Sequence, residues 1–308
     1  MKHVAVLVGS SAEREVSLMT AKGIIAALKE RGYEVTQLEI DRDLAENLLK
    51  LNVDVVFIAA HGKYGEDGTV QGLLEILDIP YVGSGILASS LAMNKIMSKK
   101  IFAHEGLRTP EWIALYKDEG YEHKRAEIEA LLAAKGRLII KPSSQGSTIG
   151  LSQVKEAKEL DEAIAKAFQF DREVLIEEAI TGTELTVPVL GNRNPLVLPC
   201  VEIVPLNELY DYEAKYVPNM SRHFVPPLVE ARVVREASAL AERAHLALGC
   251  LGISRADFIA DEKGDCWLLE VNTLPGMTNT SLVPESAKAY GYSYADLVEK
   301  LIDLALEK

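Results

Sequence analysis

Four polar residues near the C-terminus stand at spacings that chemistry can use. Ile253–Ala260 and Trp267–Asn272 read as two strands joined by a turn at Glu262-Lys263-Gly264-Asp265. Pairing symmetric about Lys263-Gly264 sets Asp257 opposite Glu270 and Arg255 opposite Asn272. Strand side chains alternate faces, so all four share one face, and Ala256, Phe258, Ala260, Trp267, Leu269 and Val271 share the other. Two carboxylates directly across a ladder repel each other, and a positive group between them relieves this. Arg255 is one such group. A divalent cation held by Asp257, Glu270 and Asn272 is another, and oxygen ligands suit magnesium, which keeps waters and phosphate oxygens in its shell. A solvated outer sheet face is the plainer alternative. The turn-rich stretch from Asn272 to Pro284 then hangs off this strand as a long loop, where substrate contacts belong.

A second set of residues suits phosphate. Lys141-Pro-Ser-Ser-Gln-Gly-Ser-Thr-Ile-Gly150 follows a strand, and N–H groups of a loop rich in Gly and Ser can cradle phosphate oxygens. It is neither GxxxxGK[ST] nor GxGxxG. Lys141 stands at the strand end, with Lys95 and Lys215 elsewhere as further point charges for phosphates. A plain surface loop and solvated lysines are the alternative. Glu177-Glu178-Ala179-Ile180 ends a strand, where carboxylates and main-chain groups suit an adenine and ribose; two solvated glutamates read equally simply. His61 stands just past a third strand, on the binding edge of its sheet.

These residues need elements to position them. Residues 3–8 form an apolar strand ending at Gly9, and Ser10 with Glu13 makes a capping box for a helix running to about Arg31, stopped by Gly32. Strands follow at Glu34–Ile40 and Val53–Ala59, then a helix from Gly68 to Leu77. Strands alternating with helices give an open parallel α/β sheet, whose ligands sit past the carboxyl ends of the strands. After Asn94 the pattern changes. A helix with Lys95, Lys99 and Lys100 leads to strands at Trp112–Tyr116, Leu138–Lys141 and Glu173–Glu177 with a helix at Ala157–Phe168, a small α+β unit. An alternating strand at Glu184–Leu190 opens a third region with a polar loop at Asn207–Asn219. A helix follows from Val229, its apolar Val233, Ala237, Leu240, Ala241, Ala244 and Leu248 at helical spacing. The segments divide as 1–94, 95–182 and 183–308.

The chain of 308 residues is 48% hydrophobic and 26% charged, enough for packed cores. No apolar run approaches the ~20 residues of a membrane span, and no secretory leader is expected. A net charge of −13 argues against nucleic acid and anionic membrane as partners. Cys200, Cys250 and Cys266, odd in number and without CxxC spacing, suggest neither a disulfide framework nor a zinc site and suit the cytoplasm.

Together several segments resemble the D-alanine–D-alanine ligases of the ATP-grasp superfamily. They are 11–18 (Ser-Ala-Glu-Arg-Glu-Val-Ser-Leu), 61–72, 81–85, 92–95, 141–150, 210–216, 249–258 and 270–284, in family order over nearly the whole chain. The resemblance implies an N-terminal Rossmann-like parallel sheet followed by two α+β subdomains of an ATP-grasp fold, with ATP between them. It implies that Glu13 grips the amino group of a first D-alanine and forms a hydrogen-bonded trio with Ser147 and Tyr216. Val16, His61, Ser281 and Leu282 would line the substrate pocket, and Arg255 with the Gly276 N–H would form an oxyanion hole. Lys95, Lys141, Ser147 and Lys215 would hold the phosphates, and Glu177, Glu178, Ala179, Ile180 and Glu184 the nucleoside. Asp257, Glu270 and Asn272 would bind magnesium, two ions in the family, with manganese as a substitute. A cytoplasmic homodimer making D-alanyl-D-alanine for peptidoglycan is the implied protein. Gly9-Ser10, Asn94, Leu209 and Thr280 depart from the family's common residues, and none removes a required charge. Two rivals are a D-alanyl-D-lactate or D-alanyl-D-serine ligase, against which Tyr216 speaks, and a non-catalytic ATP-binding module, which would be expected to lack Arg255 or a metal ligand.

Overall fold

The computed structural model describes residues 2–9, 14–146, 148–205 and 221–307. β1 (His3–Val8), β2 (Glu34–Glu39) and β3 (Val55–Ile58) form a parallel sheet in the order β2-β1-β3. β1 and β3 are apolar without alternation because both faces are covered, while β2, at the edge of the sheet, is polar and partly exposed. Val4, Val6 and Val8 pack with Ile24 and Leu28 of α1 (Arg14–Glu30), while Ala5 and Leu7 pack with Leu44 and Leu48 of α2 (Leu44–Leu51) and Leu74 of α3 (Thr69–Ile76). Each such fully buried side chain is worth roughly 1.5–3 kcal/mol. Gly32, at φ +80°, turns the chain out of α1 as expected. The capping box at Ser10 and Glu13 lies outside the described residues. Sequence reading missed α2 and α4 (Ile86–Met93). In α4 small and apolar residues lie on all sides, leaving no helical stripe to detect.

The second sheet is antiparallel: β4 (Trp112–Tyr116), β5 (Leu138–Pro142), β6 (Ser152–Val154) and β7 (Glu173–Glu178), ordered β4-β7-β5-β6. The helix before it, α5 (Lys95–His104), is fixed by Asn94, whose Oδ1 accepts the Met97 N–H at 3.0 Å. α6 (Arg125–Lys135) and α7 (Leu160–Ala167) cover one face through Leu138, Ile140, Val174 and Ile176. By alternation Lys141 and Glu177 stand on the other.

The third sheet runs β11 (Ser221–Phe224), β10 (Val201–Pro205), β8 (Gly182–Leu190), β12 (Ile253–Asp261), β13 (Cys266–Asn272), with β9 (Leu196–Val197) beside β8. α8 (Ala231–Leu248) lies on its back, and the six apolar positions expected to face inward are buried. The loop after β13 is shorter than expected, because α9 (Leu282–Tyr290) begins at Leu282. The last helix, α10 (Tyr294–Leu306), returns to the first sheet, where Leu301 and Ile302 join Val4 and Val6 in one core.

The hairpin needs one correction. Arg255 pairs with Asn272 and Asp257 with Glu270 as expected, but the register then slips, and Phe258 pairs with Leu268. Leu269 is the extra residue of a β-bulge. Beyond it the faces exchange: Cys266 and Leu268 enter the core, while Trp267 and Leu269 turn outward. The turn enforces this. Asp261 Oδ1 accepts the N–H groups of Lys263 and Asp265, and Asp261 Oδ2 accepts from Trp267 Nε1 at 3.0 Å, which holds the indole off the core.

Candidate active site

The cleft face of the second sheet and that of the β12–β13 hairpin enclose a cavity of about 590 Å3. Its walls bring together Lys95, Lys141, Glu177, Glu178, Ala179, Ile180, Glu184, Arg255, Asp257, Glu270 and Leu282, residues scattered over nearly 190 positions of the sequence. A volume of this size suits a nucleotide or drug-sized ligand.

On the hairpin wall the repulsion between the facing carboxylates is relieved by cations. Arg255 grips Asp257 in a two-pronged pair, Nε to Oδ1 at 2.9 Å and Nη2 to Oδ2 at 2.8 Å. Asp257 Oδ1 also accepts from Thr186 Oγ1 at 2.6 Å. Sequence reading missed Thr186, although its place two residues from Glu184 on an alternating strand put it on the same face. Lys95 Nζ lies 3.4 Å from Glu270 Oε2 and donates to the Gln145 carbonyl at 2.9 Å, which ties the Gly/Ser-rich loop to the hairpin. Asn272 Oδ1 accepts the Leu274 N–H at 2.9 Å.

The donor set bears on whether a metal fits. Among the described residues no three His, Cys, Asp or Glu side chains converge as a cage. Magnesium is commonly bound otherwise, by one or two carboxylates with substrate phosphates and waters completing the octahedron. Asp257 and Glu270, opposed on a cleft wall across from the phosphate-type lysines, fit that mode, provided Arg255 yields an oxygen of Asp257.

The opposite wall is held differently. Glu177, 3% exposed, lies between two lysines: Oε1 is 2.5 Å from Lys141 Nζ and Oε2 is 2.8 Å from Lys99 Nζ, the latter an ion pair rather than an aligned hydrogen bond. Burial alone would raise its pKa, but Lys141 and Lys99 outweigh burial and hold the carboxyl below its ordinary value. Burial works against Lys141 as well, and the attraction of Glu177 and Glu270 keeps its pKa raised. The neighbouring Glu178 carboxylate is committed elsewhere, accepting the Glu111 N–H at 3.2 Å and pairing with Lys135 at 2.6 Å, so it braces β4 and α6. The Ala179 N–H donates to the Arg137 carbonyl.

Several nominated residues do not line this cleft. Val16 is buried in α1. His61, 6% exposed, is not part of the cleft lining; its N–H donates to Ser17 Oγ and its Nε2 pairs with Thr20 Oγ1. It borders a void of about 10 Å3 together with Leu274, Pro275 and Met277, so it meets the loop that follows β13. In that loop Ser281 Oγ accepts the Thr278 N–H and shares a hydrogen with Thr278 Oγ1 at 2.7 Å. A Cβ at Gly276 would stand 3.1 Å from this hydroxyl, which favours glycine there. Glu13, Ser147, Lys215, Tyr216 and the Asn207–Asn219 loop lie outside the described residues. The three cysteines are buried and unpaired, and burial pushes each thiol up to about 12.

Two antiparallel sheets gripping a charged cleft, set behind an open parallel sheet, are the architecture of an ATP-grasp protein. A family model described as D-ala D-ala ligase C-terminus matches residues 101–303, and one described as D-ala D-ala ligase N-terminus matches residues 42–84. The D-alanine–D-alanine ligase of Carboxydothermus hydrogenoformans is 51% identical over 308 residues, 100% of this chain and 99% of that one. The D-alanine–D-alanine ligase of Bacillus anthracis complexed with ATP superposes with a TM-score of 0.86 at 34% identity, covering 100% of this chain and 98% of that one. The VanG D-Ala:D-Ser ligase of Enterococcus faecalis gives 0.87 at 32% identity over 99% of each chain. The chain belongs to the D-alanine–D-alanine ligase family.

Proposed function

We propose that the protein joins two D-alanines at the expense of ATP, giving D-alanyl-D-alanine, ADP and phosphate for peptidoglycan precursors. The observation that carries this is the juxtaposition of Arg255 and the Asp257–Glu270 pair on one wall with Lys95 and Lys141 in the same cleft. A carboxylate is a poor acyl donor because its oxygen leaves badly. Attack of the first D-alanine's carboxylate on the γ-phosphorus releases ADP and leaves an acyl phosphate, whose phosphate leaves readily. Lys95 and Lys141, with Lys215, neutralise the phosphates and hold them in line, and positioning of this kind supplies much of phosphoryl-transfer catalysis. Asp257, Glu270 and Asn272 would hold magnesium, or manganese in its place, and the ion would supply charge neutralisation to the phosphates.

Glu13 orients the amino group of the first substrate, steadied by Ser147 and Tyr216. His61, Val16, Ser281 and Leu282 shape its pocket. The amine of the second D-alanine then attacks the acyl carbon. Arg255 and the Gly276 N–H stabilise the oxyanion that forms, a single such donor being worth roughly 3–4 kcal/mol. Glu177, Ala179, Ile180 and Glu184 shape the nucleoside end, Glu178 bracing the wall behind them. The reduced thiols and the use of ATP support a cytoplasmic site of action. Exposed Ile76 and Leu87 on the touching helices α3 and α4 support a homodimer formed through the first sheet's surroundings.

Phosphate release from ATP and magnesium, assayed with D-alanine, D-serine and D-lactate as second substrates, tests the reading. D-alanine is expected to dominate. Preference for D-serine would move the protein to the activity named for the VanG relative, and absence of turnover with all three would leave an ATP-binding module.

A further inference from the structure

We infer that Lys99, which lies beneath the cleft and lines none of it, sets the strength with which the cleft attracts phosphate, acting through Glu177 on Lys141. The inference rests on the reading of the cleft as the ATP site. Lys99 is a positioning residue in this account, and it needs no contact with any ligand.

α5 carries Lys95 and Lys99 one turn apart on the same side. Lys95 reaches the cleft wall, whereas Lys99 is 0% exposed. Its Nζ stands 2.8 Å from Thr109 Oγ1, 3.3 Å from the Pro110 carbonyl and 2.8 Å from Glu177 Oε2. Thr109 gives its own hydroxyl hydrogen to the Leu268 carbonyl at 2.8 Å, so it faces Lys99 as an acceptor. All three neighbours therefore accept, which is the environment of an ammonium with three donors rather than of a neutral amine. Burial holds its pKa below the ordinary lysine value and Glu177 opposes that pull without cancelling it, so the charge rests on the three acceptors around Nζ.

The consequence is a matter of counting charges. Glu177 offers one negative charge and meets two positive ones. With Lys141 as its only partner it would cancel that lysine, and this part of the cleft would be neutral toward phosphate. Lys99 takes the second oxygen, so the trio carries one net positive charge, and Lys141 is the lysine on the cleft wall. Stability alone explains the arrangement poorly, since apolar residues of similar volume usually hold a core as well as a buried ion pair does. Lys99 also spans the two walls, because Thr109 is bonded to β13 while Glu177 belongs to β7.

The test uses Lys99→Met, which keeps the stem and removes the charge. ATP with magnesium chloride, and adenosine, are titrated into the whole protein and the variant by calorimetry, alongside thermal unfolding. ATP affinity is expected to fall about tenfold or more, given one charge lost within a few ångströms of the site at intermediate dielectric. Adenosine affinity is expected to hold. Lys99→Arg should keep ATP affinity, and Lys99→Met combined with Glu177→Gln should restore most of the ratio of ATP to adenosine affinity, because the net charge returns while any loss at the nucleoside end falls on both ligands alike. Equal losses for ATP and adenosine, or no recovery in the double variant, would overturn the inference. If Lys99→Met does not fold, Lys99→Gln, whose amide can still donate to Thr109, is read by the same ratio. A wild-type protein that fails to bind ATP would instead remove the reading of the cleft on which this stands.

Discussion

Glu177 and Glu270 look into one cleft from opposite walls, and they are held in contrasting ways. Glu177 is 3% exposed with a lysine against each oxygen. Glu270 keeps a side chain 31% exposed, with Lys95 at 3.4 Å, and faces a second carboxylate across the ladder. A carboxylate deep in the protein must be compensated permanently, because an uncompensated charge there is too costly. One at a wet wall can change partners at little cost. The first kind fixes the field of the site and the second kind is available to ligands. The same division separates Lys99 from Lys95 on a single helix.

The widest separation between the two should appear in stability. Glu177→Gln leaves Lys99 and Lys141 facing each other without their shared anion, and breaking a buried pair this way costs about 3–5 kcal/mol. Urea unfolding measures it; a loss below about 1 kcal/mol would mean the trio is not compensated as described. The wild type carries an acid signature of the same interaction. A carboxyl held below its ordinary value of 4.5 contributes stability in full above that pH and loses it as pH falls through the lower folded value.

Next in size is Arg255→Ala. Turnover should drop about 100- to 1000-fold, the cost of one missing oxyanion donor. ATP should still bind, because the lysines and the β7 wall remain. Near-normal dipeptide synthesis would reduce Arg255 to a counter-ion for Asp257.

Much of this arrangement was legible in the residues. The hairpin pairs Arg255–Asn272 and Asp257–Glu270 follow from a turn and the two-residue period of a strand, and the parallel sheet follows from strands alternating with helices. What escaped has physical causes. The bulge at Leu269 depends on the hydrogen bonds of Asp261, which no alternation rule contains. Helix α4 has no polar face to betray it. Lys99 looked like any helical lysine, since only the packing of α5 against β7 and the Thr109–Pro110 segment buries it. The carboxylate of Glu178 looked equal to that of Glu177, yet alternation sends it to Lys135.

His245 supplies a third case, a buried ionisable group with no compensating charge in contact. It is 0% exposed, its Nδ1 bonded to Ser254 Oγ at 2.7 Å, and burial pushes its pKa down to about 4. Below its ordinary value of 6.5 the unfolded chain takes up a proton that the folded chain refuses. Stability therefore declines as pH falls from 6.5 to about 4, by about 3 kcal/mol in all. This window opens at pH 6.5 and the one assigned to Glu177 at pH 4.5, so unfolding measured at intervals of pH separates their onsets. His245→Gln should flatten the upper slope and leave the lower one.

The smallest effect is expected at Glu270, and it probes the wet wall directly. Glu270→Gln keeps the size and one oxygen donor but removes the charge, and the partner it deprives is Lys95, which still holds the Gln145 carbonyl. Folding stability should therefore change little, as for a part-exposed pair. The need for magnesium should rise about tenfold or more, since even indirect changes at metal sites cost that much. Manganese, titrated with ADP and followed by its paramagnetic resonance signal, reports the same affinity without turnover. An unchanged titration beside an unchanged unfolding curve would assign Glu270 to neither role. A large loss of stability with normal metal binding would show that the two walls are built alike, and the contrast between Glu177 and Glu270 would be lost.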